Sequence, residues 1–190
     1  MSDHSGPARG RKRPPKPLDS ARFEELALSY VARFSTSAAK FERYLVRKLR
    51  ERGWDGEGDP PVAATVERYV ELGYIDDEAY ARMKSGSLLR RGYGGRRVRQ
   101  ALGEAGIAED LRERAMPGER AAREAAMAYA TRRRFGPFGL EAPDPDRRQK
   151  QIAAMVRAGH GFDAARALID APSAAEAEQW LAEAGDEEDN

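Results

Sequence analysis

Apolar residues recur along this chain with helical spacing almost from end to end. Phe23, Leu26, Ala27, Tyr30, Val31 and Phe34 fall at i, i+3, i+4, i+7, i+8 and i+11, which puts them on one face of an α-helix starting at Asp19 or Ser20. After a polar break at Ser35-Thr36-Ser37, Phe41, Tyr44, Leu45 and Leu49 line a second helix that ends at Gly53. Lys40, Arg43, Arg47 and Arg50 fall on its opposite, basic face. A loop over 54–59 leads to Asp59-Pro60, read as N-cap and first helical position, and then to an apolar face of Val62, Val66, Tyr69 and Val70.

The stretch from Gly73 to Gly106 has the clearest local logic. Asp76 is placed to cap a helix by accepting a free backbone N–H, with Ile75 and Tyr80 positioned as a hydrophobic staple. Asp77 and Glu78 then sit in the first turn, where the helix dipole favours negative charge. Gly92-Tyr93-Gly94-Gly95 breaks that helix and is expected to be a flexible turn. The next helix, from about Arg96, buries Val98, Ala101, Leu102 and Ala105, turns Arg96, Arg97 and Arg99 away from the core, and stops at Gly106.

Beyond it the pattern predicts a short helix over 108–116, a long one over 119–134 with Ala122, Ala125, Ala126 and Tyr129 inward, and a loop over 136–145. Helices over 147–158 and 162–169 come next, and a last one starts at the capping box Ser173-Ala174-Ala175-Glu176. No run alternates as a strand does.

The pattern repeats. Leu49, Leu102 and Met155 stand at intervals of 53, each four residues before a helix-ending glycine, and Asp110 and Asp163, then Met116 and Ile169, keep the interval. The reading is all-α: three tandem three-helix repeats forming an elongated, curved molecule. Expected boundaries are a disordered basic arm over 1–17, repeats over 18–74, 75–117 and 118–171, and a short acidic helix with a disordered tail over 172–190.

Charge changes this picture in one respect. Net charge is +1 and charged residues make up 34% of the chain, above the roughly 25% of an average domain, but the signs are segregated. Basic residues crowd the N-terminal arm, acids the C-terminal tail, a distribution that points to charged partners. Arg90, Arg91, Arg96, Arg97 and Arg99 cluster around the glycine turn with few acids before Glu104. With Tyr93 and with Lys40, Arg43 and Arg47 they are the candidate partner-binding residues. Arg132-Arg133-Arg134 ends a helix, where cations are favourable in any case, so the cluster is read both as structural and as a further candidate for binding.

Candidate chemistry adds little. The chain has no cysteine, which excludes disulfides and thiolate chemistry. No apolar run spans a membrane, so a soluble, cytoplasmic protein is expected. Asp76-Asp77 is explained by capping and dipole and has no converging third group. The glycine turn fits neither phosphate-loop pattern. His160 is expected near a helix end and His4 in the arm, so neither supports a metal site. No catalytic residue, cofactor or metal is expected.

Gly73-Tyr74-Ile75-Asp76-Asp77-Glu78-Ala79-Tyr80-Ala81 resembles the G-Y-[LI]-[DN]-D-x-x-[FY]-A signature of RecX regulatory proteins. Arg90-x-Gly92-x-Gly94, Leu102-x-x-x-Gly106-Ile107 and the segment 157–166 are similar to further motifs of that family, in order and over roughly 23–169. His160 stands where that family usually has Phe, Gly95 replaces a common proline, and the loop Asp55–Pro61 is extra. The resemblance implies a protein without catalysis that binds the RecA recombinase on single-stranded DNA. It would lodge in the filament groove as a monomer and damp strand exchange, ATP hydrolysis and the co-protease activity behind the SOS response. The alternative is a helical protein that binds DNA directly; an enzyme is the least favoured class.

Overall fold

A computed structural model describes residues 16–185. Among them are ten helices: α1 Ser20–Val31, α2 Ala38–Arg52, α3 Val62–Glu71, α4 Asp77–Arg90, α5 Gly95–Glu104, α6 Glu109–Arg114, α7 Glu119–Arg133, α8 Pro145–Arg157, α9 Phe162–Ile169 and α10 Ala174–Ala182. A 3₁₀ turn, Gly136–Phe138, comes after α7. No strand forms among the described residues; the nearest thing is one isolated bridge between Leu18 and Trp54. The basic arm up to residue 15 and the tail from 186 lie outside the described residues.

Five helices start at an Asp or Ser cap, as the chemistry of free N–H groups requires. Asp19, Asp76 and Asp144 accept from Arg22, Ala79 and Arg147 N–H at 2.8 Å each. Ser37 and Ser173 accept from Lys40 and Glu176 N–H at 3.3 and 3.2 Å.

Some local expectations change. Helix α1 stops at Val31, so Phe34 lies beyond it and is 56% exposed. Asp59-Pro60 starts no helix: α3 begins at Val62, its cap is Pro61, and no side chain bonds there. The Asp-Pro start occurs instead at Asp144-Pro145, inside the expected loop, where the Asp side chain does reach Arg147 N–H. Val70, expected inward, is an exposed hydrophobic residue. Ile75 and Tyr80 are both buried but do not form a staple, because Ile75 belongs to the first core and Tyr80 to the second.

Three cores lie along the chain. The first gathers Leu18, Phe23, Ala27, Phe41, Leu45, Tyr69 and Ile75. The second gathers Tyr80, Leu88, Val98, Leu102 and Ile107 among others. The third is built on Ala126, Tyr129, Ile152, Met155 and Leu168, with α10 adding Ala177 and Trp180. Each central helix buries its predicted stripe, and the molecule is a tandem of three-helix units.

The joints between units explain the 53-residue interval. The last carbonyls of α8 meet the first N–H groups of α5: Ala158 and Gly159 accept from Gly94 and Arg96 N–H at 3.0 and 3.1 Å. The end of α5 meets the start of α2: Ser37 Oγ donates to Ala105 O at 2.6 Å and Arg43 to Glu104 O at 2.9 Å. At the joint of α8 with α5 the helix ends supply each other's unpaired backbone groups; at that of α5 with α2, side chains of Ser37 and Arg43 take up the carbonyls that end α5.

Such contact needs glycine. A Cβ on Gly94 would stand 2.3 Å from the Gly159 carbonyl carbon, and one on Gly106 2.4 Å from Ala39 Cβ. The third glycine of the series, Gly53, receives no helix; its carbonyl accepts Leu18 N–H at 3.0 Å, so the segment before α1 closes that end. The turn Gly92–Gly95 is accordingly not a flexible linker: Gly92 and Gly94 are buried against the third unit.

Candidate functional site

The side of the molecule where α2, α4 and α5 come together carries a groove of about 370 Å³. Lys40 of α2, Lys84 of α4, Arg97 of α5 and Arg91 of the turn line it, with Tyr80, Leu88, Tyr93 and Ala101 between them. Glu104 is the one acid in the lining, and its carboxylate accepts from Gln100 Nε2 at 2.9 Å.

Local structure places each cation. Tyr80 OH accepts Lys40 Nζ at 3.1 Å, while the ammonium stands 5.3 Å from the centre of the same ring. Arg91 lies over the Tyr93 ring at 5.3 Å, a contact that orients a guanidinium without neutralising it. Arg97 donates to Gln100 Oε1 at 2.9 Å, again a neutral acceptor.

A second groove, about 340 Å³, starts on the other side of Tyr93 and is lined by Tyr129, Arg132, Arg133, Ala154, Arg157 and Ala158. Arg132 donates to the Arg91 carbonyl at 2.6 Å, tying the two grooves together. Arg133 lies over Tyr129 at 5.5 Å. Among the described residues no carboxylate pairs with Lys40, Lys84, Arg91, Arg97, Arg132, Arg133 or Arg157. Elsewhere arginines do find acids: Arg68 with Glu24, Arg82 with Glu78, Arg112 with Glu109, Arg148 with Asp170.

The predicted binding residues therefore divide. Arg91, Tyr93, Arg97 and Lys40 meet in one groove. Arg96 does not join them: its guanidinium donates to His160 O at 2.5 Å and belongs to the joint. Arg99 is paired with Glu109 at 2.7 Å, Arg47 lies 3.5 Å from Glu51, and Arg43 is held by the Glu104 carbonyl. Arg90 is exposed and lies outside the groove's lining. Spacing on a helical wheel separates core from surface but does not say which surface residues have partners on other helices. Lys84 and Arg157 were missed as members of the site, and Arg132 and Arg133, weighed as a helix-ending cluster, were not placed in it. Lys84 sits in the middle of α4, and Arg132, Arg133 and Arg157 are exposed at the ends of α7 and α8, so nothing in their local sequence sets them apart from other surface cations.

His160 is buried at the joint between α8 and α5. Its Nε2 lies 3.1 Å from Gly92 O and its ring 5.7 Å from Tyr129. Burial holds its pKa below the ordinary histidine value; the Gly92 hydrogen bond opposes this and the neighbouring Arg96 charge adds to it. Asp77, assigned only to the dipole, also accepts Ala38 N–H at 2.8 Å and so ties α4 to the start of α2. Among the described residues no group of three His, Asp or Glu side chains is arranged to hold a metal ion. No helix there is long and apolar enough to cross a membrane.

Known proteins are similar to this chain. A family model described as RecX, second three-helix domain, matches residues 76–116, the segment that supplies most of the first groove. The chain is 32% identical over 171 residues to the regulatory protein RecX of Myxococcus xanthus, covering 85% of this chain and 91% of that protein. It is 33% identical over 144 residues to the regulatory protein RecX of Agrobacterium fabrum, covering 74% and 77%. Among solved structures it is similar to RecX from Lactobacillus salivarius, with a TM-score of 0.61 over 85% of this chain and 96% of that one. Identity there is 15%, so that likeness bears on the fold.

Proposed function

The chain belongs to the RecX family of regulatory proteins, and from that premise we propose that it binds filaments of the RecA recombinase on single-stranded DNA and restrains them. In this reading the protein has no catalysis of its own and acts as a monomer in the cytoplasm. It damps strand exchange, DNA-dependent ATP hydrolysis and co-protease activity, and so modulates DNA repair and the SOS response.

The observation that carries the reading is the first groove. Four cations from separate helices and the turn converge there with one carboxylate, Glu104. A protein of nearly balanced net charge that gathers these cations in one groove without an acid for each, while Arg68, Arg82, Arg112 and Arg148 elsewhere are paired, has a surface suited to an anionic partner. Guanidinium groups suit both carboxylates and phosphates because they bond either in a bidentate way. A tandem of units offers such a surface along its length, as stacked helical repeats do.

The test is co-sedimentation with RecA filaments against naked single-stranded DNA, with RecA ATP hydrolysis as the readout. Tighter binding to filaments and inhibition of hydrolysis are expected, with inhibition reduced at least about tenfold in Lys84→Glu/Arg97→Glu at unchanged melting, since neither side chain has an acidic partner to lose. Full inhibition by that folded variant would remove the groove from the mechanism. Equal binding to filament and naked DNA would favour a DNA-binding protein instead.

A further inference from the structure

The first groove reaches across a joint. Lys40 belongs to α2 in the first unit, while Lys84, Arg91 and Arg97 belong to the second, and the cores of these two units share no residue. We infer that the groove is a binding site for a small polyphosphate, a short chain of linked phosphates either free or carried on a nucleoside, and that the bound molecule clamps the first unit to the second. Such a molecule regulates the surface assigned above to the filament, and only that competition rests on the proposed function.

Three features favour a compact, multiply charged anion. The cations come from α2, α4, α5 and the glycine turn, so they surround one volume of about 370 Å³. That size is near the lower end of ligand pockets, about 300–1,000 Å³. Lys40 and Lys84 are half-buried, and among the described residues neither has a carboxylate within ion-pair distance. A charge partly withdrawn from water is stabilised by an anion that joins it there. Finally, Gln100 stands between Arg97 and Glu104: its Oε1 accepts from Arg97 and its Nε2 donates to Glu104, each at 2.9 Å. The guanidinium keeps its charge and its other N–H donors for a ligand.

Linked phosphates place several charges in one small volume and accept bidentate guanidinium bonds, whereas carboxylates on a peptide are held apart by their side chains. Leu88, Tyr93 and Ala101 in the same lining supply apolar surface for a nucleoside where one is attached. The clamp follows from the joint itself. Polar bonds hold it, among them Ala38 N–H to the Asp77 carboxylate at 2.8 Å and Ser37 Oγ to Ala105 O at 2.6 Å. A ligand bonded to Lys40 and to Lys84 or Arg97 adds an ionic bridge across it and depletes the open form.

Isothermal titration calorimetry of the full-length protein without RecA, in low-salt, magnesium-free buffer, tests the site. Tripolyphosphate should bind as a single molecule per chain, pyrophosphate less tightly, and orthophosphate and adenosine not measurably. Tighter binding of ATP than of tripolyphosphate supports the inference with a nucleotide as the source; equal or weaker binding supports it with a free chain. Lys84→Glu/Arg97→Glu should weaken binding at least about tenfold, as loss of charge-assisted bonds does. Arg50→Glu, an exposed change outside this groove, should leave it unchanged. Lys84→Gln/Arg97→Gln replaces the charge reversal if melting shows that variant unfolded. Tripolyphosphate should also slow amide exchange at Ala38 and Lys40, at the bridged joint, more than at Gly94 and Arg96.

No binding of tripolyphosphate overturns the inference, as does tighter binding of citrate, equal loss with Arg50→Glu, or exchange slowed alike at both joints. Sedimentation with RecA filaments is scored separately. Polyphosphate binding without filament binding sinks the proposed function alone, and filament binding without polyphosphate binding sinks this inference alone.

Discussion

His160 shows how one buried side chain writes a pH dependence into the molecule. Burial depresses its folded pKa, while in the unfolded chain it titrates near 6.5. Between those values the unfolded state binds more protons, so stability rises with pH there and is lost as pH falls below about 6.5. The carboxylates held low, Asp170 by Arg148 and Glu51 by Lys48, act only in more acidic solution. Melting temperature should therefore drop between pH 7 and 5 in the native chain and drop less in His160→Phe. Parallel curves for the two would show that the imidazole is not the titrating group. At the same scale, Leu102 is fully buried in the second core. Leu102→Ala should cost about 2–5 kcal/mol by urea denaturation; a change within about 0.5 kcal/mol, typical of the surface, would contradict its place in the core.

Among elements, the junction of α8 with α5 is the least forgiving. A methyl group on Gly94 would meet the backbone of Gly159 and His160, and backbone cannot rotate out of the way as a side chain can. Gly94→Ala should destabilise by at least about 2 kcal/mol, within the range seen when a filled interior is overpacked. Gly103, in the last turn of α5, is the contrast. A Cβ there would meet only the end of Arg112, at 3.2 Å, so Gly103→Ala should be neutral or stabilise by up to about 1 kcal/mol through helix propensity. Denaturation of the pair decides whether the glycines serve the joints or merely end helices; equal effects would remove the argument.

At the scale of the whole molecule the two joints differ. Tyr93 belongs to the margins of both the second and third cores, whereas the first and second share no residue. Hydrogen bonds donated by Ser37, Lys40 and Arg43 and one accepted by the Asp77 carboxylate connect the joint of the first and second units. Polar contacts give about 1 kcal/mol each and cost more when one partner is left unsatisfied. Ser37→Ala, which strands the Ala105 carbonyl, should cost about 1–3 kcal/mol. It should also speed amide exchange near Ala38 and Lys40 while leaving the amides of Arg96 and Arg97 protected. Uniform acceleration across both joints would mean the units open together. Since Lys40 reaches the first groove across this joint, the same change should weaken any ligand held there.

Local sequence was enough for the helical class, the three units and most helix starts. Those depend on neighbours three or four residues apart, and stripes such as Val98–Leu102 or caps such as Asp76 act within one turn. The same locality set the limit. Asp59-Pro60 and Asp144-Pro145 are one dipeptide, yet only the second caps a helix; Pro60 is followed by Pro61, and a residue before proline is kept out of the helical region. The interval of 53 was visible as a number, but its cause, helix ends supplying each other's orphan groups, depends on residues such as Gly94 and Gly159 that meet only after folding. The arginines were legible as a patch and not as a site. Whether a guanidinium is spent on a carbonyl, as at Arg96, on an acid, as at Arg99, or left facing a groove, as at Arg97, is decided by which helix lies opposite. That is a property of tertiary structure, since an exposed charge takes its meaning from partners far away in the chain.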